Sequence, residues 1–337
     1  MATTTSTAYV VRAVMDPGGP ERMASTADEL WFRDAFEEHR RPLHAHCYRL
    51  AGNVADADDL VQETFLRGWR SRAQYEGKAS IRTWLYRIAT NVYLDQRKAA
   101  ARRTVPVGDP MEWCNDIGPY PDSLLGEDPQ SELVARETVE LALIAALMYL
   151  PPRQRAAFVL RDVSGWTPAE VADGLGLAVP AVNSLIQRAR KTLRHYAPGD
   201  SRAWRRPALT SEDEEILRRY AAATDPASFR KLLADDVRIT MPPDPPVVGG
   251  DAAAEFLGRP LDWVAFPSAA NGRPALICYL RHPGSDQYDA TVVDVLTIEN
   301  GRIVATNAFV GAHHVAAFGL PASIEDSASL TSFERFS

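Results

Sequence analysis

Cysteine is scarce. The 337 residues hold three, Cys47, Cys114 and Cys278, far apart in the chain. That excludes a disulfide framework and a cysteine-based metal site, and it points to a reducing compartment, the cytoplasm. No apolar run approaches the roughly 18 residues that a membrane span needs, so no membrane partner is expected. The opening stretch, MATTTSTAYVVRAVMDPGGPERM, has no basic segment followed by an apolar core, which argues against a secretory signal. His44, His46 and Cys47 look like a ligand cluster, but residues two apart on a helix point in nearly opposite directions. Neither a metal nor a cofactor is expected.

Positive charge is in the minority, with a net charge of −7, but its distribution is uneven. Residues 71–103 carry eight Lys or Arg against Glu76 and Asp95. Residues 104–140 carry nine Asp or Glu against Arg136 alone. Residues 151–206 carry ten basic and four acidic residues, and from Pro207 onward there are eighteen acidic against ten basic. Two basic blocks in an acidic chain suggest two separate nucleic-acid contacts.

The first basic block belongs to a helical pair. In DADDLVQETFLRGW, the residues Leu60, Val61, Thr64, Phe65, Gly68 and Trp69 recur at i, i+3 and i+4 and make one apolar seam. Asp59, Gln62 and Glu63 share a different, acidic face. Gln74 to Ser80 is a loop containing Gly77. The next helix, within ASIRTWLYRIATNVYLDQRK, buries Ile81, Leu85, Ile88, Ala89 and Val92. Its other stripe is Trp84, Arg87, Asn91, Asp95, Lys98 and Arg102. One tryptophan, one amide and several cations suit stacking on unpaired bases and gripping phosphate. Upstream, Thr26 to Glu29 has the form of a capping box, and Leu30, Trp31 or Phe32, Phe36, Leu43, Cys47 and Leu50 give that helix its apolar face until Gly52-Asn53 stops it.

These stretches resemble region 2 of the extracytoplasmic-function sigma factors of bacterial RNA polymerase. DADDLVQETFLRGW is similar to region 2.2, and TWLYRIATNVYLDQRK to regions 2.3 and 2.4. The resemblance implies that Asp59, Leu60, Gln62 and Glu63 dock on the beta-prime subunit of the polymerase core. It implies that Asn91 contacts the flipped base of the −10 element, and that Tyr75, Lys78 and Ser80 belong to the loop around that pocket. Trp84, Arg87, Arg97, Lys98, Arg102 and Arg103 complete that DNA-binding set.

Val105 to Gln130 is rich in proline and reads as a linker. In sigma factors this segment follows the RNA-exit path, where an acidic chain can mimic RNA. Ser131 to Tyr149 reads as a long helix. Then Arg153 to Val163 forms another, and Thr167-Pro168-Ala169-Glu170 opens the next with a cap, a proline at the first position and a glutamate at the third. Gly174 and Gly176 make the turn. The last helix, from Pro180, turns Val182, Leu185, Ile186, Ala189 and Leu193 inward. Ser184, Gln187, Arg188 and Lys191 face outward, as on a helix entering the major groove, with Arg190 and Arg194 nearer phosphate. LPPRQRAAFVLRDVSGWTPAEVADGLGL resembles sigma region 4, which reads the −35 element. Val179 to Ser184 lacks the early arginine common in that family, so the −35 sequence does not transfer.

Beyond Pro207 the composition changes. Ser211 to Ala223 is an amphipathic helix opened by a Ser211–Glu214 pair, Phe229 to Leu233 is helical, and Val237, Ile239 and Met241 alternate as a strand. Pro242, Pro243, Pro245 and Pro246 read as a rigid loop and Asp251 to Leu257 as a short helix. Ala275–Leu280, Tyr288–Ile298 and Arg302–Phe309 read as strands, the last two joined at Asn300-Gly301. Helices followed by a curved antiparallel sheet resemble the SnoaL-like cone of ketosteroid isomerases and polyketide cyclases. Enzymes of that shape keep an acid or base inside. Asp294, His313 and His314 are the candidates, with facing water from a half-buried sheet as the alternative for Asp294.

The expected fold is multidomain: two all-α sigma domains, a region 2 helical bundle and a region 4 helix-turn-helix, followed by an α+β SnoaL-like cone-shaped barrel. The boundaries are a disordered tail at 1–25, region 2 at 26–103, an acidic linker at 104–130, region 4 at 131–197, a linker at 198–210, the SnoaL-like domain at 211–321 and a tail at 322–337. The expected function is promoter-directed initiation with the polymerase core, through its beta-prime and beta subunits, and with promoter DNA. No catalysis is expected. The C-terminal domain regulates, through a small-molecule ligand or an intramolecular contact. The competing reading is an isomerase- or cyclase-like enzyme fused to a DNA-binding half. A plain helix-turn-helix repressor leaves residues 56–103 unexplained.

Overall fold

Helix α1, Arg22–Ala51, runs unbroken through Pro42. It starts ahead of the Thr26 expected. Gly52, at φ +97°, turns the chain, and Asn53 caps α2, Val54–Ser71, by accepting from the Asp56 amide at 2.8 Å. A short loop then leads to α3, Ile81–Arg103. Phe32, Phe36, Leu60, Leu85, Ala89 and Val92 fill the space between the three. A Cβ on Gly68 would sit 2.8 Å from Phe32 Cζ, so only glycine lets α1 and α2 approach this closely. The computed structural model describes residues 22–103, 117–125, 140–196 and 210–325.

The second helical unit is α4, Leu141–Met148; α5, Pro152–Phe158, continued by a π turn over Val159–Val163; α6, Pro168–Leu175; and α7, Val179–Tyr196. The expected Thr167 capping box forms, with the Glu170 carboxylate accepting from the Thr167 amide at 2.7 Å. Gly176, in the left-handed region, ends α6. Arg155 is 3 % exposed and donates to the carbonyls of Leu50, Met148 and Leu150. Its guanidinium therefore ties α5 to the end of α1, where helix carbonyls lack intrahelical partners.

The third unit carries α8, Ser211–Ala221; α9, Pro226–Arg230; β1, Leu233–Met241; β2, Asp244–Val248; α10, Gly250–Leu257; β3, Trp263–Ala270; β4, Arg273–Arg281; β5, Tyr288–Glu299; β6, Arg302–Val310; α11, Ala312–Ala316; and β7, Ser323–Ile324. The sheet order is β2-β1-β6-β5-β4-β3, with β7 on β5. Four details depart from the sequence expectation. The cap of α8 is Thr210 with Asp213, one residue early. Pro245 and Pro246 lie in edge strand β2, where a missing N–H costs no ladder bond. Strand β1 pairs parallel with β6, so the sheet is mixed. Strand β3 was unforeseen; it joins β4 through Asn271-Gly272, both at positive φ, like Asn300-Gly301 between β5 and β6.

Both faces of the central strands are covered. Leu276, Cys278, Leu296 and Ile298 pack with Tyr220, Phe229 and Ala253 of the unit's own helices. Ala275, Ile277, Tyr279, Val293 and Val295, on the opposite face, belong to one continuous core with the two helical units. Asp294 lies on the first of these faces and is 6 % exposed. Of the two placements open to it, inside the cone or facing water, it takes the first.

Candidate nucleic-acid interface

The α2–α3 pair is fixed by Arg67. Its Nε donates to Glu63 at 2.8 Å and its guanidinium to Asp95 of α3 at 2.8 Å. Glu63 is thus half-buried and engaged, while Asp59 and Gln62 face solvent and Leu60 is buried in the seam. Of the acidic docking face, the outward part is Asp59 and Gln62.

The loop before α3 is shaped by short-range bonds. Tyr75 donates its hydroxyl to the Ala79 carbonyl at 2.6 Å, and Ser80 accepts from the Thr83 amide at 3.1 Å. Lys78 pairs with Glu76 in the same loop. Trp84 lies 5.3 Å from Tyr75, ring centre to ring centre. Arg97 is half-buried beside Asp56 and over the Tyr93 ring, and Lys98 is exposed. Arg102 and Arg103 end α3, and their side chains lie outside the described residues.

Arg87 and Asn91 are not open to solvent on every side. Arg87 donates to Asp173 of α6 at 2.8 Å, and Asn91 Nδ2 reaches the Gly174 carbonyl at 3.4 Å. The end of α6 is therefore seated on the stripe expected to read the −10 element. On α7, Ser184, Gln187, Arg188, Lys191 and Arg194 are all exposed. Arg190 instead forms a two-bond pair with Asp162, at 2.9 and 2.6 Å, and serves the packing of α7 on the π turn.

A second set of residues went unforeseen. Asn271, at the β3–β4 turn, is 1 % exposed. Its Nδ2 donates to the Tyr48 hydroxyl of α1 at 2.9 Å, its Oδ1 accepts from the Tyr120 amide at 2.8 Å, and its own amide donates to the Tyr120 carbonyl at 2.9 Å. The Gly272 amide donates to Asp122 at 2.9 Å. Arg273 pairs with Glu140, which precedes α4, and also donates to Thr297 at 2.8 Å. Tyr120 in turn meets His44 of α1 at 2.9 Å. One turn of the third unit thus holds α1, the segment Ile117–Leu125 and the start of α4. That segment falls within the expected linker, yet Ile117, Tyr120 and Leu125 are buried. The remaining acidic residues of the linker lie outside the described residues. The Asn271-Gly272 pair carried the signal for the turn, as Asn300-Gly301 did for its own.

Burial shifts several ionisable groups. His46 is held down to about 3, chiefly by burial and then by Arg49 and Arg82, and its ring meets Thr90 at 3.0 Å. Asp294 is pushed up to about 7 by burial. His314, half-buried over Phe309, is lowered to about 4 by burial and by His313. Among the described residues, no single helix is long and apolar enough to cross a membrane.

A helical bundle carrying an aromatic-cationic stripe, followed by a helix-turn-helix, defines a bacterial transcription-initiation factor. The Sigma-70 region 2 profile matches residues 35–103, and the Sigma-70 region 4 profile matches residues 140–193. ECF RNA polymerase sigma factor SigG of Mycobacterium tuberculosis is 37 % identical over 314 residues, covering 86 % of this chain and 83 % of that one. SigJ of the same organism is 36 % identical over 214 residues, covering 61 % and 63 %. The crystal structure of Mycobacterium tuberculosis SigJ superimposes with a TM-score of 0.54 at 25 % identity, covering 84 % of this chain and 97 % of that one. The chain belongs to the ECF RNA polymerase sigma factors. It acts in transcription initiation with the polymerase core and promoter DNA, and its C-terminal unit packs helices on a mixed seven-stranded sheet.

Proposed function

We propose that the chain docks on the beta-prime subunit through Asp59 and Gln62, with Leu60 and Glu63 shaping that face from within. The beta subunit is the second core contact, and the work is done in the cytoplasm. The −10 strand is read by α3, with Asn91 holding a base outside the stack, and the −35 duplex by Ser184, Gln187, Arg188, Lys191 and Arg194 of α7. An acidic face beside a buried seam suits a basic partner surface. Asp59→Lys is expected to lower core affinity at least tenfold in a pull-down with core enzyme, with folding intact. Glu63→Lys is a poorer probe, because it also places a cation against Arg67. Unchanged affinity for the Asp59 variant removes this face from the docking site.

The C-terminal domain is, on this reading, a built-in regulator. The observation that carries it is α6 seated on Arg87 and Asn91 while the β3–β4 turn grips α1, Ile117–Leu125 and Glu140. The face that would hold the −10 base is partly covered by the chain itself. Shortening the chain after Tyr196, or after Pro207, should change promoter-dependent transcription in a reconstituted assay. Transcription equal to that of the full chain from both truncated forms, with and without cell extract as a ligand source, ends the regulatory reading.

A ligand-binding or catalytic role inside the cone has one observation in its favour. Asp294 is a buried carboxyl, pushed up to about 7, whose charge acts on the nearby Tyr220 and Cys278. Groups of that kind gather at functional sites. A sigma factor does not need it, and the main reading leaves catalysis out.

A further inference from the structure

One aromatic surface is not absorbed by the reading above. Trp31 of α1 is 40 % exposed and its neighbour Leu30 is 49 % exposed. Trp31 stacks on Tyr75, centroids 5.4 Å apart and planes 24° apart. Tyr75 lies 5.3 Å from Trp84, and Trp84 meets Phe32 edge-on at 6.1 Å. The three rings therefore form a ladder. Its inner end stands on the core of the helical bundle, and its middle lies in the loop expected to frame the base pocket. Its outer end is Trp31. A tryptophan stacked on one side and still 40 % exposed presents a ring surface to solvent. The α6 helix, which covers Arg87 and Asn91, contributes no ring or polar partner to this ladder among the described contacts.

We propose that Trp31, Tyr75 and Trp84 form a stacking ledge for a second unpaired base of the promoter's non-template strand, taken on the exposed face of Trp31. The inference rests on the assignment of α3 to the −10 element. It adds a base position outside the Asn91 pocket, on a helix to which no DNA role was given. The chemistry is sequence-tolerant, because every base has a π face. Continuity carries the choice of occupant. Trp84 stands on the Arg87–Asn91 stripe, so a strand leaving the pocket toward the loop passes Tyr75 and reaches Trp31. Lys78, 84 % exposed in that loop, is placed to follow the phosphates.

The test uses holoenzyme reconstituted from the full chain and core polymerase. The DNA is a fork with an unpaired non-template strand, carrying 2-aminopurine at each position in turn. A probe stacked on an indole is quenched. Trp31→Ala should relieve quenching at one position and leave unchanged the separate position whose signal Asn91→Ala alters. Affinity for the fork should fall about tenfold, within the range for one base–aromatic stack. Trp31→Phe should keep most of both signals, whereas Trp31→Leu, which keeps the apolar bulk without a ring, should lose them. If Asn91→Ala alters the probe signal at its position and Trp31→Ala alters none, the ledge is wrong and the −10 assignment stands. If neither variant alters any position, the −10 assignment fails and takes the ledge with it. If Trp31→Ala lowers affinity for core polymerase and changes no probe, the ring belongs to a protein contact and the proposal is overturned.

Discussion

Arg273→Ala should loosen the joint between the C-terminal domain and the sigma half. The Arg273 and Glu140 side chains are 12 % and 7 % exposed, so removing the cation strands a carboxylate out of water. Breaking such a buried pair costs about 3–5 kcal/mol. Thr297 also loses its donor. Because Glu140 leads directly into α4, the freed joint lets α6 leave α3. The full-length variant should therefore melt at a lower temperature and bind a single-stranded −10 oligonucleotide more tightly than the parent. Replacing the pair together, Arg273→Met with Glu140→Gln, should recover much of the stability, since the main penalty is the unpaired charge. Asn271→Gly keeps the backbone turn while deleting both side-chain bonds, and it should act in the same direction. If Arg273→Ala melts lower with oligonucleotide affinity unchanged, the contact is a structural tie and does not gate the promoter face.

Asp294→Asn should abolish the loss of C-terminal-domain stability with rising pH. In the folded chain the Asp294 carboxyl titrates near 7, against about 3.9 in an unfolded chain. Between those values the native state holds a proton that the unfolded state has released. Stability from this group is complete below about pH 4 and is lost as pH rises through 7. Each pH unit in the window is worth about 1.4 kcal/mol, so the whole span is on the order of 4 kcal/mol. The amide cannot ionise, so the variant should show no such decline and should be the more stable protein at pH 8. His46 works in the opposite sense. Its folded value is lowered, so the stability it contributes is present above about pH 6.5 and is lost as pH falls toward 3. Melting followed from pH 5 to 8 should resolve the two slopes, with the His46 slope unaltered in Asp294→Asn. A parent chain whose C-terminal transition does not weaken between pH 5 and 7 would refute the Asp294 argument.

The helical half was legible because its signals are local. A seam at helical spacing fixed α2 and α3, and Thr167-Pro168-Ala169-Glu170 announced α6 four residues at a time. The C-terminal half was read less well for a physical reason. Alternation along β5 leaves open whether Asp294 faces water or the cone, because one face is covered by the unit's own helices and the other by the helical units, and no pattern within the strand reports what covers either. Strand β3 was missed because ValAlaPhe-Pro-SerAlaAla lacks both clear alternation and a long β-branched run. The Ile117–Leu125 strut was hidden by its prolines, which signal the lack of regular structure and say nothing of burial. The seating of α6 on Arg87 and Asn91 depends on contacts between residues 86 and 83 positions apart, beyond any local pattern.

The turn at Asn271 also orders events in time. Tyr120 waits for a partner made 151 residues later, and Tyr48 for one made 223 residues later. At about 5–20 residues per second, synthesis of the stretch from Tyr120 to Asn271 takes roughly 8–30 s. For that interval the helices of the sigma half are already outside or leaving the ribosome while the piece that clasps them does not yet exist. A nascent molecule is therefore in a different state from a finished one, and a polymerase that meets it early meets an unclasped factor.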